Sequence, residues 1–148
     1  MFEVNSCVFC AIVAGTAPST TVLDTDEVLA FLDIRPIARG HVLVIPKTHS
    51  ADLDAMEPAL GGAVFEAGQR ISRALRRSDL KADGAHLIVN DGRAAFQTVF
   101  HTHLHVVPRW TGDKLRLAAG FVTRRSRDPQ ETAAAIRVGL ERSRTEEQ

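Results

Sequence analysis

Three histidines alternate with other residues in the run HTHLHVVP, at His101, His103 and His105. In a β-strand, side chains at every second position share a face, so an extended run would align all three imidazoles. Unperturbed imidazoles titrate near ~6.5, and mutual repulsion in such a row keeps some of them neutral around pH 7. A neutral imidazole can bind a metal ion. It can also attack an electrophile while a neighbour donates a hydrogen bond to the developing charge. A third reading leaves them as half-exposed strand residues without a role. Local spacing does not separate the metal from the nucleophile. A second reactive pair, Cys7 and Cys10 in CVFC, comprises both cysteines of the chain. In a reducing compartment that spacing reads as metal ligands or redox thiols.

These side chains need a scaffold. TTVLDTDEVLAFLDI predicts two strands around a turn at Asp24, Thr25 and Asp26. HVLVIP, 41–46, predicts a β-branched strand stopped by Pro46. From Met56 to Arg77 the apolar period turns helical, with Leu60, Val64, Ala67, Ile71 and Ala74 or Leu75 on one stripe and Pro58 in the first turn. AHLIVND, 85–91, and VFHTHLHVVP, 99–108, predict two more strands. Near the start, AIVAG is a short apolar piece whose helical potential Pro18 limits. Asp128 as N-cap, Pro129 at the first helical position and Glu131 at the third announce a terminal helix carrying Ala133, Ile136 and Leu140 on one face. Its polar tail frays from Ser143. The sum is an α+β fold with about five antiparallel strands, one long helix and a C-terminal helix. A long helix on one sheet face leaves the other face available.

A chain of 148 residues, 45% apolar and 24% charged, fits a single domain over 1–148. Eighteen basic residues balance 18 acidic ones, which predicts no nucleic-acid or anionic membrane partner. The basic clusters Arg73, Arg76, Arg77 and Arg124, Arg125, Arg127 read as solvated faces. No apolar run is long enough to span a bilayer, and MFEVNSCVFC lacks a secretory pattern. A cytoplasmic location is the resulting expectation.

HTHLHVVPR resembles the motif of the histidine triad (HIT) family. CVFC, AFLDI at 30–34, GHVLVIPKTH at 40–49, IVND at 88–91 and FQT before the triad stand in the family's order and spacing. The resemblance covers about residues 7–110 and leaves 111–148 as a C-terminal extension with a helix. It implies the HIT fold and a homodimer whose two sheets join. The implied activity is hydrolysis or transfer at the α-phosphate of a purine nucleotide, on nucleoside phosphoramidates or similar conjugates. Hydrolysis or phosphorolysis of dinucleoside polyphosphates is an alternative. So is a non-catalytic nucleotide-binding regulator, against which the intact triad speaks.

The same resemblance distributes roles. His103 is the nucleophile that forms a nucleotidyl-imidazole intermediate, splitting one hard displacement into two easier ones. His105 hydrogen-bonds a non-bridging phosphate oxygen, and His41 is the family's fourth active-site histidine. Asp33 accepts hydrogen bonds from the ribose hydroxyls. Phe31, Ile34 and Leu29 resemble the base pocket, while Asn90, Gln97 and Thr98 match polar groups around the phosphate and leaving group. The family often has Gly where this chain has Phe96, which predicts a narrower leaving-group side. Several bacterial members carry a structural zinc, and its four ligands correspond here to Cys7, Cys10, His49 and His101. No organic cofactor is expected. A zinc hydrolase with a catalytic metal held by the triad itself is a further alternative.

Overall fold

Short apolar segments rich in β-branched residues, packed on both sides, build a sheet with two distinct faces. The computed structural model describes residues 6–148; residues 1–5, part of the stretch read above for a leader, lie outside the described residues. Strands β1 (Thr21–Asp24), β2 (Val28–Leu32), β3 (Val42–Pro46), β4 (Gly84–Val89) and β5 (Leu104–Arg109) pair antiparallel in the order β1-β2-β3-β5-β4. Helices α1 (Val8–Val13), α2 (Pro58–Arg77), α3 (Lys114–Thr123) and α4 (Pro129–Glu146) complete the α+β fold.

One sheet face presents Val28, Ala30, Leu32, Val42, Val44, Leu104 and Val106 to α2 and α4. Helix α2 answers with Val64, Ala67, Ile71, Ala74 and Leu75, the stripe expected from its period, and Leu60 at its first turn is half-buried. Burial of Val64, Ile71 and Leu75 stabilises the fold by roughly 1.5–3 kcal/mol each, and the alanines contribute less. At Gly68 a Cβ would lie 2.4 Å from Cδ2 of Leu104, so the glycine lets α2 lie close to β5. Gly139 of α4 does the same against α2, where a Cβ would lie 2.2 Å from the Ala74 carbonyl oxygen. The other face carries Leu29, Phe31, Leu43 and Ile45, which pack with Phe9 of α1. This second face holds the chemistry.

Four sequence expectations need correction. The strand foreseen over 99–108 begins only at Leu104. Upstream, the Thr102 amide and hydroxyl both donate to the Ser50 carbonyl, which ties the segment to a loop rather than to a ladder. Residues 8–13 form α1, capped by the Cys7 thiol accepting from the Cys10 amide at 3.4 Å. Pro18 lies beyond its end and does not oppose it. Helix α3 was not anticipated. No residue of it is buried, so its period carries little hydrophobic signal. Helix α4 starts at Pro129 as expected. Asp128, however, sits at φ 44° without a side-chain cap, and its carbonyl accepts from Thr132 instead.

Candidate active site and metal centre

β5 and the residues before it bring two of the triad histidines to the second sheet face. His103 and His105 lie with ring centroids 4.9 Å apart. On the next strand Leu43 pairs with His105, and His41 stands just before β3, diagonal to it. His41, His101 and His103 are buried. Burial, the largest influence, pulls the pKa of His41 and of His105 down to about 4, and it lowers that of His103. All three are therefore neutral at pH 7, and their hydrogen bonds decide which nitrogen carries the proton.

The network assigns each tautomer. The Ile37 amide donates to Nδ1 of His41 at 3.0 Å, so neutral His41 keeps its proton on Nε2. That Nε2–H donates to Nδ1 of His105 at 3.0 Å. His105 must then hold its own proton on Nε2. This buried Nε2 is without a hydrogen-bond partner among the described residues. His103 donates from Nδ1 to the His101 carbonyl at 2.8 Å, which leaves a lone pair on Nε2. The result is one unprotonated nitrogen beside one unsatisfied donor.

Both rings line a cavity of about 640 Å³. Its apolar wall includes Phe9, Phe31, Ile34 and Leu43, and Asp33, Thr98 and Arg124 supply polar groups. Asp33 accepts from the Arg35 amide through Oδ1 at 2.8 Å. Its Oδ2 stands 3.6 Å from Nε2 of His41 and 4.0 Å from the Arg124 guanidinium. A slightly larger groove of about 710 Å³ runs between β1, α2 and α4, lined by Arg and Glu side chains without a histidine or cysteine. Chemistry rather than size marks the site.

His101 has a different surrounding. Its ring is fully buried away from the cavity, with Nε2 donating to the Pro46 carbonyl at 2.8 Å. Nδ1 is thereby left as an acceptor, 3.2 Å from Nδ1 of His49, 3.5 Å from Sγ of Cys7 and 3.6 Å from Sγ of Cys10. Sγ of Cys10 lies 3.3 Å from Nδ1 of His49. Tetrahedral zinc, with bonds of about 2.3 Å to sulfur and about 2.05 Å to nitrogen, puts S···N edges near ~3.5 Å and N···N edges near ~3.3 Å. The observed separations match both. The Pro46 carbonyl is the outer partner that a ligating imidazole ordinarily has. Burial and the neighbouring Cys7 push the Cys10 thiol up to about 11, so without a cation that thiol stays protonated.

The other expected residues divide. Phe31, Asp33, Ile34 and Thr98 line the cavity; Leu29 is core beside it. Asn90 is half-buried and off its wall. Gln97 is buried and spends its amide on the loop: Oε1 accepts from Gly92 N–H, and Nε2 donates to the Ala51 and Val99 carbonyls. Phe96 does not narrow the pocket. It adopts φ 66°, a conformation glycine tolerates freely, and its ring is 83% exposed. The three triad imidazoles do not converge as one ligand set, because His101 belongs to the sulfur cluster. Sequence reasoning missed Phe9, Phe121 and Arg124 on the cavity wall. Arg124 is no solvated-face residue. Arg73 and Arg77 likewise are ion-paired, with Glu147 and Glu146 of the C-terminal segment.

Comparison with known proteins places this geometry among relatives. The HIT domain family matches residues 14–112. An uncharacterized HIT-like protein of Mycobacterium tuberculosis is 51% identical over 134 residues, 90% of this chain and 92% of its own. An adenylylsulfatase of Arabidopsis thaliana is 37% identical over 76% of this chain, a match spanning 59% of that longer protein. The crystal structure of a zinc-bound histidine triad family protein from Mycobacterium smegmatis superposes with a TM-score of 0.89 at 49% identity. It covers 97% of this chain and 99% of its own.

Proposed function

This chain belongs to the HIT family, and on that premise we propose that it hydrolyses purine nucleoside phosphoramidates or similar nucleotide conjugates at the α-phosphate. The observation that carries the reading is the pairing of one free lone pair, on Nε2 of His103, with one unsatisfied N–H, on Nε2 of His105. A nucleophilic substitution at phosphorus needs both groups within one pocket.

In the proposed reaction Nε2 of His103 attacks the α-phosphorus, and the P–N bond to the leaving group breaks as that nitrogen takes up a proton from solvent and departs as the neutral amine. The Nδ1–H bond to the His101 carbonyl holds the attacking tautomer and steadies the ring as it gains positive charge. Nε2–H of His105 meets a non-bridging oxygen, where charge grows in the transition state. His41, fixed by the Ile37 amide, keeps His105 in that tautomer. Water then cleaves the nucleotidyl-imidazole and returns His103. Asp33 takes the ribose hydroxyls, and Phe31 with Ile34 bounds the base.

We also assign zinc to Cys7, Cys10, His49 and His101, a closed ligand set that leaves no position for substrate. When bound, the ion ties α1 and the loop after β3 to the residues preceding β5. A homodimer would join sheets through β4, whose outer edge carries no partner strand among the described residues and exposes Ile88. Among the described residues no helix is long and apolar enough to cross a membrane.

The test is mass spectrometry of the protein mixed with an adenosine phosphoramidate. A transient adenylyl adduct is expected, and it disappears in His103→Ala together with turnover. Near-normal turnover in that variant would sink the assignment.

A further inference from the structure

We propose that α3 is the outer jaw of the nucleoside pocket, with Phe121 covering the base and Arg124 positioning Asp33 for the ribose. This rests on the nucleotide reading above and extends it to a segment that begins beyond the HIT domain match, which ends at residue 112.

Three observations converge. Although α3 buries none of its residues, it turns Phe121 and Arg124 onto the wall of the cavity that holds His103 and His105. Ile34, 81% exposed, and Phe121, 57% exposed, are large apolar side chains on that same cavity wall. A flat heterocycle held by its phosphate at His103 is an occupant that would cover both. The third observation is how α3 is seated. Gly120 lies so close to the loop after β2 that a Cβ there would stand 1.8 Å from the Ile37 carbonyl oxygen. Arg124 ends the helix at φ 45°, and its Nε donates to the Arg35 carbonyl at 2.8 Å. That bond sets its guanidinium 4.0 Å from Oδ2 of Asp33. The carboxylate is thus held between the Arg35 amide on Oδ1 and a cation near Oδ2, which restricts its rotation.

Isothermal titration of the full chain with AMP, 2′,3′-dideoxy-AMP and ribose 5-phosphate separates the two parts. Phe121→Ala is expected to weaken AMP and dideoxy-AMP alike by about tenfold, the scale of one lost base–aromatic contact, and to leave ribose 5-phosphate unchanged. Arg124→Ala is expected to weaken AMP by about fivefold without affecting dideoxy-AMP, with partial rescue by Arg124→Lys. A merely structural role for Arg124 would shift both nucleotides equally. Gly120→Ala, which must displace α3 with both Phe121 and Arg124, is expected to weaken AMP more than dideoxy-AMP, combining the two losses. AMP affinity unchanged in both Phe121→Ala and Arg124→Ala would overturn the jaw and leave the nucleotide reading standing. Failure of the wild-type protein to bind AMP or GMP at millimolar concentration would overturn both.

Discussion

Replacing Gly139 by alanine pits two opposing effects against each other. Alanine favours a helix over glycine by about 0.8–1 kcal/mol. The new Cβ, however, would stand 2.2 Å from the Ala74 oxygen and 2.9 Å from the Ala74 carbonyl carbon. An ordinary contact needs over 3 Å, so α4 must retreat from α2 by roughly 1 Å, and backbone cannot rotate away as a side-chain tip can. A gap of that size forfeits a quarter to a half of the dispersion energy along the seam that buries Ala74, Ala133 and Ile136. Overpacking of this kind costs about 1–3 kcal/mol, which at its midpoint outweighs the propensity gain by roughly 1 kcal/mol. Gly62 is the control. It is exposed on α2, and a Cβ there meets nothing within 4 Å. Differential scanning calorimetry should show Gly139→Ala melting about 3 °C lower and Gly62→Ala about 2–3 °C higher than the parent. A Gly139→Ala protein as stable as the parent would refute the reasoning about the α2–α4 contact.

Three further outcomes are expected. Cys10→Ser, purified without added metal, should fall from about one zinc per chain to below about 0.1, measured by elemental analysis, and should unfold at lower temperature; retained zinc counts against the ligand set. The imidazoles of His41 and His105 should titrate near pH 4 by NMR. Because their folded pKa values are depressed, their contribution to stability is complete above ~6.5 and is lost as pH falls toward 4, where the unfolded chain alone takes up protons. Midpoints at or above 6.5 contradict that burial argument. Gln97→Ala abandons the Gly92 amide and two carbonyls inside a loop, so urea unfolding should report a loss of about 1–3 kcal/mol. A loss below 0.5 kcal/mol would mean that Gln97 is not structural.

Legibility in the sequence followed the strength of each local signal. The α2 stripe has a helical period, 21–24 shows a short alternation, and 28–32 and 42–46 are continuous apolar runs because both of their faces are packed, so local pattern located them. Residues 99–103 mimic that alternation while their polar groups go to Ser50 and Pro46, a choice made by tertiary contacts. Helix α3 escaped because KLRLAAGFVT buries no stripe. Within the site, His103, His105, His41 and Asp33 were legible as a motif, and the structure brings them together. The resemblance had also named Cys7, Cys10, His49 and His101. Phe121 and Arg124 carried no comparable signal. Their position depends on Gly120 meeting Ile37, a contact across more than 80 residues of chain.

His101 works with two unrelated parts of itself. The ring faces the cysteines, while the main-chain carbonyl receives the proton of His103. Substitution deletes side chains and spares carbonyls, so every replacement at this position keeps the acceptor that holds the His103 proton on Nδ1. The imidazole-orienting group that a Ser-His-Asp triad places on a mutable carboxylate is here written into the backbone, where only a change in the path of the chain can erase it.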